Sequence, residues 1–296
     1  MKTVLITGGN GMVGGFLAKY FARDYKVVSA FYDAPVPKDA EMMKFVFFDV
    51  TDKEAVLSTI VRVNPDMIVH AAGVKDVKLC EQDKELARRV NAEGTKHVAK
   101  AASENDSFLA YVSSDYVFEG SAGMYKEDSL ANPWTVYGKT KLQGEKEVQS
   151  LCRRYAVCRT SGLYAYHEQN VLYFILNALK SNQQQSYFTD VFNSATHLGN
   201  FADMLIKVLE MGKTGVYHVA GGERINRYKF ALKIADTFKC DSSLVKPLEL
   251  GWKRRRAEFR PFDLSLDVSR SKKLLGIDFL DVNQGLEREK NEANIS

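Results

Sequence analysis

KTVLITGGNGMVGGFLAKYF, residues 2–21, changes period halfway along. Its first six residues are a β-branched, nearly all-apolar run that ends in glycine, the pattern of a buried strand. From Met12 onward the apolar residues Met12, Val13, Phe16, Leu17, Tyr20 and Phe21 return at helical spacing. Between the two, TGGNGMVG sets Gly8, Gly11 and Gly14 three apart, a GxxGxxG spacing rather than GxGxxG. A turn without Cβ atoms lets the backbone approach a pyrophosphate at the start of a helix. Glycines alone also make an ordinary tight turn. Here they follow a strand and open a helix, which is the context a dinucleotide site requires. The cofactor contacts read from this turn are Gly8, Gly11, Met12, Val13 and Gly14.

The alternation continues downstream. YKVVSAFY (25–32) and KFVFFDV (44–50) read as a second and third strand. DKEAVLSTIVRV (52–63) reads as an amphipathic helix opened by Thr51 or Asp52 as cap. PDMIVHAAG (65–73) is a fourth strand, residues from about 81 to 105 a long helix, and FLAYVSS (108–114) a fifth strand. WTVYGKTKLQGEKEVQSLCRRY (134–155) is helical and AVCRTSGLY (156–164) a sixth strand. Nearly all-apolar strands alternating with helices predict an α/β fold, a doubly wound parallel sheet of Rossmann type covered on both faces. After residue 165 the order loosens, with helices over 170–180, 198–212 and 226–238 and a strand over 215–221. A dinucleotide-binding domain is expected over 1–165, with about 193–220 returning to it, and a smaller substrate lobe over 166–296.

Asp33 closes the second strand 19 residues after Gly14, where an acid can bond the adenosine ribose hydroxyls. The nearest downstream base is Lys38, with no adjacent arginine for a 2′-phosphate, so NAD is favoured over NADP. A solvated turn residue before APVP is the alternative for Asp33. Asp49, with Val50 at the end of the third strand, is a candidate for the adenine amino group, and a cap near Asp52 is its alternative.

Chemistry concentrates in VSSDYVFEGSAGMYKEDSLANPWTVYGKTKLQGE, residues 112–145. Tyr137 and Lys141 are four apart in a helical stretch and share one face. An ammonium near a phenol favours the phenolate, so the Tyr137 pKa is expected to fall from ~10 toward working pH. Such a tyrosine serves as general acid to a carbonyl or general base to an alcohol. Ser114 stands at the carboxyl end of the fifth strand, where open α/β sheets bind ligands. YxxxK pairs arise by chance in helices; behind a glycine turn and five βα units, this one reads as a catalytic set. Tyr116 and Trp134 flank it, facing either substrate or core.

Bulk properties narrow the rest. Forty-five per cent hydrophobic and 26% charged residues are ordinary for a globular protein. A net charge of +4 does not imply nucleic-acid binding. WKRRRAEFRP (252–261) is the one dense basic stretch. Its Arg254, Arg255, Arg256 and Arg260 either clamp a diphosphate, since guanidinium forks match phosphate oxygens, or form a solvated face. Four cysteines without a CxxC pair and five scattered histidines give no metal site. No apolar run approaches the ~20 residues of a membrane span. A soluble, cytoplasmic chain is expected.

TGGNGMVG, HAAG (70–73), CEQDKELARRVNAEGT, VSSDYVFEG, NPWTVYGKTKLQGE, RTSGLY and RPFDLSLDVSRSKKLLGI together resemble the extended short-chain dehydrogenase/reductases, within them the dTDP-4-dehydrorhamnose reductase group. The resemblance covers nearly the whole chain. It implies that Ser114, Tyr137 and Lys141 form the catalytic set and that Lys141 also holds the nicotinamide ribose. It implies that Ala71, Ala72 and Gly73 line the cofactor, with Asn91 at a family position in the helix beside the sheet. The implied activity is NAD(P)H-dependent reduction of a keto group on a nucleotide-activated deoxysugar. The implied assembly is a homodimer paired through helices 81–105 and 134–154. The same motifs are similar to the regulatory β subunit of methionine adenosyltransferase, which binds cofactor and partner, and the same three residues serve NAD-dependent nucleotide-sugar epimerases. Three positions depart from the reductase group: Lys78 replaces an acid, Ala195 a proline, and Ser114 a common threonine. These leave the chemistry intact and leave the particular sugar open.

Overall fold

A computed structural model describes residues 1–32 and 43–295; Asp33 and Lys38 lie outside the described residues. Six strands come from the first 160 residues: β1 (Thr3–Thr7), β2 (Lys26–Phe31), β3 (Lys44–Phe47), β4 (Met67–His70), β5 (Phe108–Ser114) and β6 (Tyr155–Thr160). With a late strand, Gly215–His218, they form one seven-stranded sheet in the order β3-β2-β1-β4-β5-β6 and then Gly215–His218. From β3 to β5 the pairing is parallel, with Thr3 opposite Lys26 and Val4 opposite Met67. Leu5, Ile68, Leu109 and Val157 are fully buried at its centre, which is why these strands read as continuous apolar runs. The strand order reverses between β1 and β4, so a crevice opens beyond their carboxyl ends.

Helix caps follow local chemistry. Asp52 caps Lys53–Val63 by accepting from the N–H groups of Glu54 and Ala55, and Asn64 ends it in the left-handed region at φ 47°. The long helix expected over 81–105 is broken instead. It comprises Val77–Gln82, Lys84–Ala87, a π-helical turn Arg88–Gly94 and Thr95–Glu104. Asp83 interrupts it because its carboxylate accepts from Leu86 N–H and starts a new helix. Widened π turns collect at functional sites, and this one carries Asn91.

The chain divides into two compact units: 1–117, 132–159 and 205–217 in the first, 118–131, 160–204 and 218–296 in the second. The return to the first unit is thus shorter than the expected 193–220. The crossover falls at 159 rather than 165, and the loop 118–131 belongs with the later residues. In the second unit, helices Val171–Lys180, Arg227–Thr237 and Val282–Glu292 share a core containing Tyr164, Leu172, Leu176, Phe230, Ile234 and Leu286. Strand Gln185–Phe188 pairs in parallel with Val245–Leu248. Among the described residues no helix is long and apolar enough to cross a membrane.

Candidate active site

The glycine turn sits at the carboxyl end of β1. Gly8 has φ +73°, and a Cβ there would stand 2.8 Å from the backbone of Ala72. At Gly14 a Cβ would stand 2.2 Å from the Gly8 carbonyl oxygen. Both positions therefore exclude any side chain. Gly11 is the N-cap of helix Met12–Phe21 and brings no side-chain cap, so the positive end of the helix dipole lies at the turn, where it favours an anion. These features fit a dinucleotide pyrophosphate on Gly8, Gly11, Met12, Val13 and Gly14.

Behind the turn, a buried relay joins β1, β4 and the π turn. Thr7 Oγ1 accepts from Ala72 N–H and bonds His70 Nδ1 at 2.7 Å. His70 Nε2 meets Thr95 Oγ1 at 3.0 Å, and Thr95 donates to the Asn91 carbonyl. That order fixes the tautomer: Nε2 carries the hydrogen and Nδ1 accepts. Burial, with the Lys141 charge nearby, pulls His70 down to about 3, so its ring is neutral. Ala71 and Ala72 are half-buried and Gly73 exposed, a strand end open to a ligand. Asn91 is 1% exposed. Its amide accepts from Val74 N–H and donates to Val74 O and Thr140 Oγ1, so it braces the Gly73–Val74 loop against the helix that bears Tyr137. Asp49 accepts from Thr51 N–H; Val50 is buried, with its carbonyl accepting from His97 Nδ1.

Ser114 ends β5, and its hydroxyl donates to Asp115 at 2.9 Å and accepts from Tyr116 N–H. Tyr137 lies in the first turn of helix Val136–Leu151, whose first N–H groups are held by Glu81 at Val136 and by Thr135 at Gly138. Tyr116 packs edge-on against the Tyr137 ring at 5.4 Å. The expected lowering of the Tyr137 pKa is reversed. Burial raises it well above the ordinary phenol range; the Ser114 hydroxyl opposes and Asp115 reinforces that rise. The Lys141 ammonium is engaged elsewhere: it donates to Val112 O at 2.8 Å and lies 4.1 Å from the Tyr111 ring centroid. Burial lowers Lys141 itself to about 7, against an upward push from Glu145.

Several supporting residues escaped the sequence reading. Glu145 is 1% exposed and holds Arg159 of β6 through both carboxylate oxygens, at 2.9 and 2.8 Å. It also accepts from Ser113 Oγ at 2.6 Å. The cue was present, since Glu145 follows Lys141 by one helical turn. The basic stretch lies in the second unit, in helix Gly251–Ala257 and the residues just after it. Arg255 is buried there and bonds Glu119, Arg254 and Arg260 each pair with Glu258, and Arg256 is exposed. Among the described residues no cluster of metal-ligating side chains is found.

A family model described as the RmlD substrate binding domain matches residues 1–294. The dTDP-4-dehydrorhamnose reductase of Aggregatibacter actinomycetemcomitans is 31% identical over 245 residues, covering 80% of this chain and 79% of that protein. Methionine adenosyltransferase 2 subunit beta of Xenopus laevis is 31% identical over 288 residues, covering 92% and 82%. The solved dTDP-4-dehydrorhamnose reductase of Bacillus anthracis, in complex with NADP, superposes with a TM-score of 0.85 at 27% identity over 99% of both chains.

Proposed function

From the premise that this chain belongs to the RmlD substrate-binding-domain family, we propose that it is an NAD(P)H-dependent reductase of a keto group on a nucleotide-activated deoxysugar. The observation that carries the reading is the placement of Ser114 at the carboxyl end of β5 with Tyr137 on the next helix, near enough for the Ser114 hydroxyl to act on the phenol's ionisation, in the same unit as a glycine turn that excludes side chains. The nicotinamide cofactor, when bound, supplies hydride to the carbonyl carbon. Gly8, Gly11, Met12, Val13 and Gly14 hold its pyrophosphate, Ala71 to Gly73 line it, Asp49 and Val50 lie toward the adenine, and Asn91 keeps the lining loop in place. Tyr137 donates a proton to the carbonyl oxygen, and Ser114 orients that oxygen. A phenol whose pKa is raised stays protonated at neutral pH, which is the form a reduction consumes. Lys141 holds the nicotinamide ribose.

The preference for NAD rests on Asp33, while the Bacillus anthracis relative was solved with NADP; dissociation constants for both cofactors decide between them. Tyr137→Phe is expected to cut turnover by ~10² or more while leaving cofactor affinity near wild type. Consumption of NAD(P)H with a dTDP-4-keto-6-deoxysugar measures it, and near-normal turnover would remove Tyr137 from the mechanism. Interconversion of epimers without net NAD(P)H consumption would favour an epimerase.

The likeness to methionine adenosyltransferase 2 subunit beta over 92% of this chain supports a second reading, a cofactor-binding regulatory subunit. Co-purification with a catalytic partner, together with inertness toward a panel of keto-sugars, would favour it. For the reductase, the expected assembly is a cytoplasmic homodimer. Light scattering at micromolar concentration giving the monomer mass would contradict the dimer.

A further inference from the structure

Lys141 is 5% exposed on the inner face of its helix. A poorly hydrated ammonium needs compensation from what surrounds it. From β5 it meets the Val112 carbonyl and the Tyr111 ring. From β4 it faces His70, which is neutral and cannot balance it. On its own helix Tyr137 lies one turn before it and Glu145 one turn after. Tyr137, being protonated, brings no charge, which leaves Glu145 as the acid facing Lys141. From β6, Arg159 reaches Glu145 from the other side.

The placement of Glu145 is specific. Its carboxylate is bonded to Arg159 through both oxygens and to Ser113, and Ser113 directly follows the residue whose carbonyl accepts from Lys141. β5 therefore holds the ammonium and the carboxylate through adjacent residues. We infer that Glu145, clamped by Arg159 and Ser113, is a positioning residue that keeps Lys141 in its charged form at the cofactor site. The inference rests on Lys141 being part of the reductase set. The competing role is a plain staple between the helix and β6. Four apart, Lys141 and Glu145 share one face of the helix, and the Glu145 charge pushes the Lys141 pKa up against the effect of burial. Loss of Glu145 would leave Lys141 and Arg159 as two buried cations without a carboxylate between them. The pH at which Lys141 loses its proton would then fall.

Glu145→Gln tests this directly. Because it strands Arg159, it is paired with Glu145→Gln/Arg159→Met, which removes both charges and folds more readily than a broken buried pair. The first readout is the NADPH dissociation constant against pH, by cofactor fluorescence. The second is kcat/KM against pH for reduction of a dTDP-4-keto-6-deoxysugar. Lys141→Met identifies the alkaline limb that belongs to Lys141 by abolishing it. In Glu145→Gln that limb should move down by about one pH unit; Arg159→Met alone should move it up, and the double variant, which removes both charges, should move it less than either. Glu145→Asp should return part of the way. A limb that stays at the wild-type pH in Arg159→Met, and in Glu145→Gln where it folds, overturns the inference and leaves the pair a staple. If the chain reduces no keto-sugar, the NADPH-binding limb still reports on Lys141, so failure of the reductase reading and failure of this inference are separate results.

Discussion

His70 places its ring in the middle of the sheet with no exposure and a hydrogen bond on each nitrogen. Its depressed pKa has a consequence for stability. Between pH 6.5 and about 3 the unfolded chain takes up a proton that the folded ring refuses, so this contribution is intact above pH 6.5 and is lost as pH falls. The slope is about 1.4 kcal/mol per pH unit within the window. Denaturant midpoints taken from pH 7 to pH 4 should fall more gently in His70→Gln than in the wild type; parallel slopes would remove His70 from the account. At this scale the proposed catalytic residues stood out because hydroxyl, phenol and ammonium at that spacing belong to few chemistries. Their electrostatics were not. The direction of the Tyr137 shift depends on burial and on where the Lys141 ammonium points, and neither is written in a spacing of four.

Helix Val136–Leu151 shows what periodicity misses at the scale of an element. The apolar stripe in the sequence runs through Val136, Leu142, Val148 and Leu151, yet the buried face is Gly138, Thr140, Lys141, Gly144, Glu145 and Val148. Small residues let the helix sit close, and charged ones are buried because each finds a partner. Gly138 makes the point testable. In an exposed helix, glycine to alanine gains about 1 kcal/mol. Here a Cβ would stand 2.1 Å from the Tyr116 carbonyl oxygen, so Gly138→Ala should instead cost about 1–3 kcal/mol and lower kcat, since Tyr116 packs on Tyr137. Thermal melts and initial rates measure both, and a variant as stable as the wild type would mean that the 115–117 turn yields freely. The break at Asp83 was hidden for a similar reason: an aspartate inside an amphipathic pattern reads as a surface residue until its carboxylate is seen capping Leu86.

Over the whole molecule, the parallel sheet and its glycine turn could be read from residues 2–164, where β1, β2, β4, β5 and β6 are largely buried and so announce themselves. The division into units could not, because a strand's neighbour is decided by a chain segment far away. Gly215–His218 borders β6, and just before it Thr214 accepts from Tyr155 N–H and donates to the Arg153 carbonyl. A fragment of residues 1–165 lacks this border strand. It is expected to unfold at lower denaturant than the full chain and to bind NAD(P)H more weakly. Circular dichroism and cofactor fluorescence would show otherwise if the fragment is self-sufficient.

The border strand also sets a clock on the ribosome. Synthesis runs from the N-terminus at ~5–20 residues per second, so β6 emerges several seconds before the strand that flanks it. Through that interval the nascent sheet presents an open parallel edge, the feature that invites pairing with a neighbouring chain. Cys158 and Val157, buried once the chain is complete, lie on the strand that waits. A pause in translation between codons 160 and 214 would lengthen this exposure, and synonymous changes there should alter soluble yield while leaving the finished protein identical.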